Sequence, residues 1–229
     1  MAIAEQNELA IEAGAAIREA LSVSHAPCLT CSFQAEDMVV LALAREVAPD
    51  IPVLFLETGY HFAEVYEYRN AMTARYGLNL VNVVPEETVA AQESAFGLLY
   101  QSAPDQCCKL RKVRPLFAAL ERYDSWLTGL RRVQSPTRAN LQVTDVFALP
   151  TGKRIPKISP LAAWTDRDVW QFARNAEIPL LSLYDQGYTS IGCEPCTLLP
   201  VDSLNPRSGR WAGRKVECGI HIAGQERAT

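Results

Sequence analysis

The 229-residue chain lacks the marks of a membrane, fibrous or disordered protein. No apolar run approaches the roughly 18 residues that a spanning helix needs, and the longest lies near 39–44. The first 21 residues carry acids early and no arginine before Arg18, so the basic start of an export signal is missing. There is no internal repeat and no low-complexity segment. Charged residues make up 21% and hydrophobic ones 48%, as in ordinary globular chains. These absences leave a globular protein large enough to bury its own core, expected in the cytoplasm and without a membrane partner. A surplus of positive charge is also missing: the net charge is −4, which argues against a general nucleic-acid binder.

Cysteine, by contrast, is plentiful. The seven are Cys28, Cys31, Cys107, Cys108, Cys193, Cys196 and Cys218, an odd number, expected as reduced thiols. Cys193-Glu-Pro-Cys196 sits in a Gly/Pro-rich turn with the spacing of a metal or cluster knuckle. Cys107-Cys108 is a tandem pair, for which a disulfide would close a strained ring. Two pairs make four thiolates, a donor set for zinc or for an iron–sulfur cluster. Structural zinc favours two C-x-x-C knuckles, so the tandem pair favours iron–sulfur. Cys28-Leu-Thr-Cys31 has the same spacing but lies on an apolar segment with strand character, where residues three apart face opposite ways; it is expected to be core packing. Cys218 stands alone among Arg207, Arg210, Arg214 and Lys215, cations that favour its thiolate, a strong nucleophile.

Positive charge is concentrated beside these cysteines. Residues 107–138 hold eight Lys/Arg against two acids, and residues 205–218 four against one, in a chain that is otherwise acidic. Localised positive charge of this kind suits a small anionic ligand.

The spacing of apolar residues predicts helices over 3–21, 36–46, 62–76 and about 108–123, and strands over 29–33, 52–56, 80–84 and 126–130. Thr165-Asp-Arg-Asp168 opens a further helix with a threonine cap. Strands alternating with helices predict an α/β fold, a mostly parallel sheet flanked by helices, with ligands bound at the carboxyl ends of the strands. Beyond Pro200 periodicity fades into Pro, Gly, Ser, Asn and Arg. One domain over 1–199 is therefore expected, followed by a mobile tail over 200–229 that carries Cys218.

Several segments together carry a resemblance: Ser32-Phe33-Gln34-Ala35-Glu36-Asp37, Glu57-Thr58-Gly59-Tyr60-His61-Phe62, Cys107-Cys108-Lys-Leu-Arg-Lys112, Gly129-Leu-Arg131-Arg132-Val-Gln-Ser135-Pro-Thr-Arg138, Gly187-Tyr-Thr-Ser-Ile-Gly-Cys193-Glu-Pro-Cys196, Arg207-Ser-Gly-Arg210-Trp and Glu217-Cys-Gly-Ile-His221. Across nearly its whole length the chain resembles the thioredoxin-dependent assimilatory adenylyl-sulfate reductases of the PAPS/APS reductase family. The resemblance implies a fold akin to the PP-loop nucleotide pyrophosphatases. It implies reduction of adenosine 5′-phosphosulfate to sulfite and AMP, and a 4Fe–4S cluster on Cys107, Cys108, Cys193 and Cys196. Cys218 would attack the sulfate sulfur to give an S-sulfonate, which thioredoxin would resolve.

Ser32, Lys112, Arg138, Arg207, Arg210 and His221 would bind the substrate. Arginine suits bidentate contact with an oxyanion. Lys112, one helical turn beyond Cys108, would bridge cluster and substrate. The loop at 32–37 would cup the nucleotide with backbone N–H groups and a helix N-terminus, although Gln34 stands where PP-loop enzymes place glycine. Related alternatives are the 3′-phosphorylated substrate, or dual use, and a tRNA sulfur-inserting enzyme. The last is disfavoured because the chain lacks an S-G-G-x-D-S loop and a broad basic surface. A zinc-stabilised interaction module would leave Cys218 idle.

Overall fold

Short runs of apolar residues set the architecture. The computed structural model describes residues 2–202, 205–215 and 217–221. Its six strands are Pro27–Thr30 (β1), Val53–Leu56 (β2), Leu80–Val83 (β3), Ser125–Leu127 (β4), Thr144–Ala148 (β5) and Arg154–Ile158 (β6), ordered β3-β2-β1-β4-β6-β5. All neighbouring pairs are parallel except β5 and β6, which form an antiparallel hairpin at one edge. The helices are Ala2–Ser22 (α1), Ala35–Arg45 (α2), Ala63–Tyr76 (α3), Val89–Phe96 (α4), Leu99–Ser102 (α5), Pro104–Cys108 (α6), Arg114–Leu120 (α7) and Asp166–Asn175 (α8). The α/β class and the mostly parallel sheet match the reading of the sequence. Among the described residues no helix is long and apolar enough to cross a membrane.

Strand alternation divides the core in two. Leu29, Val53, Phe55 and Leu127 point into the larger cluster, where Val39, Leu41 and Ala44 of α2 and Val169 of α8 meet them. Cys28, Leu54 and Trp126 point the other way, against Leu116, Phe117 and Leu120 of α7. Thr165 caps α8 as expected, its hydroxyl accepting from the Asp168 N–H while Asp168 accepts from the Thr165 N–H at 2.8 Å.

Two regions differ from the sequence reading. The helix expected over 108–123 begins earlier and is interrupted: α6 leads into a π-helical turn, Lys109–Val113, and then into α7. Pro115 has no N–H to return to the Arg111 carbonyl, and a wide turn before it accommodates the lost bond. The β5–β6 hairpin has no counterpart in the predicted elements. Its strand β6 carries Pro156 and a buried Lys157, which obscure the alternation that marks a strand.

Strand order reverses beside β1: β2 and β3 extend to one side, β4 and β6 to the other. At such a switch point the loops leaving the strand ends diverge and open a crevice. The loops after β1, β2 and β4 do so here.

Candidate active site

The crevice spans about 940 Å³ when its open mouth is counted. Its floor is the loop after β1. There Phe33 adopts φ +61°, a left-handed conformation uncommon for a bulky residue, and buries its ring against Phe55 and Tyr68. The turn leaves Ser32 at the crevice surface. The Ser32 N–H and hydroxyl both donate to Asp37 Oδ2 at 2.6 Å, and the Ala35 N–H donates to the Tyr184 hydroxyl at 3.0 Å. Two N–H groups expected to face a nucleotide are thus engaged internally, and the first turn of α2 carries its own acids, Glu36 and Asp37. Burial, followed by the neighbouring Glu36, raises the Asp37 carboxyl to about 6. Gln34, in the place of a glycine, ties the loop together: its Oε1 accepts from the Ile191 N–H at 2.8 Å and its Nε2 donates to Ser32 Oγ at 3.0 Å.

Cations line the opposite wall. Lys112, Arg138, Arg207 and Arg210 all reach the crevice. Burial works against the charge on Lys112, but the nearby sulfurs of Cys193, Cys218 and Cys108 outweigh it and hold the ammonium above its usual range. Arg210 is buried, with its guanidinium laid over Gly192; any Cβ at that position would collide with it. Arg138 donates to Gln134 Oε1 and Arg207 to Ser190 Oγ.

The described part of the segment beyond Pro200 is joined to this wall. The Leu198 N–H donates to the Gly209 carbonyl at 2.9 Å, and the Trp211 ring is buried. Trp211, Ala212 and Gly213 turn the chain with three consecutive positive φ values. Lys215 Nζ then donates to Asp105 Oδ1 at 2.7 Å and to Cys108 Sγ at 3.4 Å. Buried Glu217 accepts from Arg138 Nη2 at 2.8 Å. Cys218 follows in the crevice wall, and the His221 ring stacks on Trp126 with centroids 5.5 Å apart. Burial, reinforced by Lys157, Arg138 and Arg207, holds His221 neutral. Residues 222–229 of the expected tail lie outside the described residues.

Behind the cationic wall is a smaller cavity lined by Cys107, Cys108, Cys193 and Cys196. Helix α6 and the π turn that follows it bring Cys107, Cys108, Arg111 and Lys112 to it from one side. The other pair enters on a short 3₁₀ turn, Glu194–Cys196, fastened to the loop after β2: the Glu194 N–H donates to the Tyr60 carbonyl at 2.7 Å, and Thr58 Oγ1 lies 3.3 Å from Cys193 Sγ. Lys112, Arg210 and Trp211 border both spaces and form the partition between them. Burial, then repulsion from neighbouring sulfurs, raises the Cys107 and Cys196 thiols to about 11.

The sequence model of the phosphoadenosine phosphosulfate reductase domain matches residues 26–199. The chain belongs to that family. Among similar curated proteins is the adenosine 5′-phosphosulfate reductase of Mycolicibacterium smegmatis, 46% identical over 190 residues that cover 82% of this chain and 79% of the relative. The protein of that name from Rhodococcus opacus is 47% identical over 82% of this chain and 76% of its own. Of solved structures, a phosphoadenylyl-sulfate reductase from Candida auris, in a phosphate complex, superposes with TM-score 0.71 at 26% identity, covering 82% of this chain and 90% of that one. A Candida glabrata FMN adenylyltransferase matches at TM-score 0.68 and 16% identity over 87% of this chain and 67% of that one, a likeness of fold alone. The PP-loop-like architecture expected from the sequence is the one observed.

Within this reductase-family frame, the sequence-predicted residues fall into two adjoining groups. Ser32, Lys112, Arg138, Arg207, Arg210, Cys218 and His221 line the crevice, and the two cysteine pairs line the cavity behind it. Cys28 and Cys31 are buried on opposite faces of the sheet, in different core clusters. Arg131 and Arg132 serve the scaffold: Arg131 pairs with Asp166 at 2.6 Å, and Arg132 Nε donates to the Leu141 carbonyl at 2.8 Å.

Sequence reasoning assigned no role to Glu217, Asp37, Thr58 or Arg111. Arg111 is fully enclosed, donating to the Thr58 carbonyl and to Gln92 Oε1, and so joins the tandem cysteines to the loop that holds Cys193. Its place on a segment rich in exposed cations hid this in the sequence. His61, left outside the expected site, lines the crevice with Nε2 2.8 Å from the Leu56 carbonyl, and burial lowers its imidazole to about 4.

Proposed function

We propose that the protein reduces adenosine 5′-phosphosulfate to sulfite and AMP in assimilatory sulfate reduction, with Cys218 as nucleophile and thioredoxin as reductant. The observation that carries this reading is the docking of Cys218 in a crevice walled by Lys112, Arg138, Arg207 and Arg210 at the switch point of a nucleotide-binding type of sheet. The names of the curated relatives favour this substrate.

The Cys218 thiolate attacks the sulfate sulfur, and the bond from that sulfur to the phosphate oxygen breaks. AMP leaves, and Cys218 carries an S-sulfonate. One thiol of reduced thioredoxin attacks Cys218 Sγ and expels sulfite. Its second thiol resolves the mixed disulfide, so the dithiol is oxidised by two electrons as sulfate becomes sulfite. A thiolate approaching an anionic sulfate needs that charge neutralised, and buried cations fixed in advance do so without reorganisation. Ser32 and His221 complete the substrate wall, and a neutral His221 can accept or donate a hydrogen bond there.

Cys107, Cys108, Cys193 and Cys196 would hold a 4Fe–4S cluster. The donor set fits: four sulfurs from two segments face one cavity. Among the described residues no three His, Cys, Asp or Glu side chains converge closely enough to hold one metal ion, as a zinc with bonds of about 2.3 Å requires. When bound, the cluster supplies structural closure and a local electrostatic field beside Lys112. All seven cysteines are unpaired, in keeping with a reducing cytoplasm.

The test is to incubate anaerobically purified protein with 35S-labelled adenylyl sulfate without thioredoxin, followed by peptide mapping. A label on Cys218 that reduced thioredoxin removes is the expected result. An iron-replete protein that forms no adduct would overturn the mechanism. The Candida auris structure favours a second substrate, 3′-phosphoadenylyl sulfate, and the same experiment with that compound separates the two.

A further inference from the structure

We infer that Glu217 is a positioning residue: its carboxylate latches the Cys218 arm into the ligand-free crevice by occupying the arginine pair that an incoming oxyanion takes over. The inference rests on the reading of Cys218 and the crevice given above, and extends it to how the arm is held and released.

The geometry is that of a built anion site already filled from within. Glu217 Oε2 accepts from Arg138 Nη2 at 2.8 Å and lies 3.9 Å from Arg207 Nη2, while Thr137 Oγ1 donates to Oε1 at 3.3 Å. The side chains are 5% exposed for Glu217, 11% for Arg138 and 19% for Arg207, so this pairing is shielded from solvent. A buried charge without a partner is strongly unfavourable. The crevice wall already holds Lys112 and Arg210, neither of them paired with a carboxylate among the described residues, and buried Lys157 lies behind it. The carboxylate therefore balances the charge of Arg138 directly and that of Arg207 at longer range.

A phosphosulfate brings negative charge to the same guanidinium groups and satisfies them equally. Glu217 then loses its partners, and a carboxylate beside a bound polyanion is repelled. Because Cys218 is the next residue, whatever holds Glu217 also fixes where the sulfur sits. Gly219, with φ +91°, provides a turn directly after it, and Ile220 packs against the core, so the arm has a second anchor when the first is released. The latch holds the nucleophile in the crevice before substrate arrives, and substrate binding frees it.

Two measurements on the iron-loaded protein test this. The first is the rate at which iodoacetamide alkylates Cys218 without ligand, read by peptide mapping, which assumes nothing about the substrate. Glu217→Gln is expected to raise that rate about tenfold or more, since a neutral amide holds two guanidinium groups poorly. Thr137→Val, which removes only the hydroxyl contact, gives a smaller rise and stands in should Glu217→Gln fail to fold. Unchanged labelling in both variants overturns the latch.

The second is the affinity for adenosine 5′-phosphosulfate in a Cys218→Ser background, which blocks turnover. Adding Glu217→Gln is expected to tighten binding about fivefold, because the ligand no longer displaces a competing carboxylate. A merely structural ion pair predicts weaker or equal binding, and that result overturns the proposal. Failure of the nucleotide to bind with or without Glu217→Gln would instead sink the reductase reading, and the labelling experiment would still decide the latch.

Discussion

The molecule contains two Cys-x-x-Cys pairs, and the structure uses them in opposite ways. Cys28 lies on β1 and Cys31 directly after its end, and the two side chains face opposite sides of the sheet; each thiol is sealed in a different apolar cluster. Cys193 and Cys196 flank a 3₁₀ turn, share one cavity with Cys107 and Cys108, and have Lys112 and Arg210 at its edge. Spacing alone therefore does not make a ligand pair. The backbone decides which way two sulfurs point, and nearby charge decides whether ionised sulfur is tolerated.

The sharpest way to break this comparison is to exchange serine for cysteine in each pair. Cys193→Ser or Cys196→Ser is expected to abolish bound iron and visible absorbance near 400 nm, whereas Cys28→Ser and Cys31→Ser leave both intact; iron analysis and absorption spectra are the check. The next largest effect concerns the charge beside the second pair. Lys112→Ala should lower the rate of S-sulfonate formation about a hundredfold, the usual loss for one preorganised electrostatic group, with iron content preserved. Single-turnover labelling alongside iron analysis tests it.

For the first pair the readout is stability. Cys28→Ala and Cys31→Ala should each lower unfolding free energy in urea by about 1–2 kcal/mol, from lost packing. The same burial raises both thiols far above their ordinary range. Above about pH 8.5 the unfolded chain releases those protons while the folded one keeps them. Stability should therefore fall with rising pH by up to about 1.4 kcal/mol per unit for each thiol, and the double alanine variant should flatten that slope. The smallest effect is expected from Thr58→Val, which deletes the hydroxyl 3.3 Å from Cys193 Sγ. It should shift the visible spectrum of the iron-loaded protein while changing stability by no more than about 1 kcal/mol.

Legibility in the sequence followed locality. Strands β1 and β2 were visible because parallel strands buried on both faces read as short continuous apolar runs. The capping box of α8 was visible because its two members are three residues apart. Hairpin β5–β6 was hidden because Pro156 and Lys157 imitate a loop; Lys157 keeps its place in the core by lying 5.1 Å above the Trp126 ring. The π turn was hidden because proline in a helical stretch signals a break but not its form. At the site, the cysteines and cations were visible by residue type. Glu217 was not assigned, because its meaning depends on Arg138, 79 residues away in the chain. Arg111, read by composition as one more cation in a basic stretch, proved to be an internal brace.

The pairing of β1 with β4 also bears on how the molecule is made. Pro27 lies opposite Ser125 and Cys28 opposite Trp126, so the middle of the sheet joins segments almost one hundred residues apart. Emerging from the ribosome, β1 and β2 meet early, but the crevice has no second bank until residue 127 is free to pair. Contacts of such long range are slow to form. The arm that carries Cys218 is synthesised after that strand, and its His221 ring settles on Trp126, a residue of the strand that completes the crevice. Cys218 thus reaches a crevice whose two banks are already assembled.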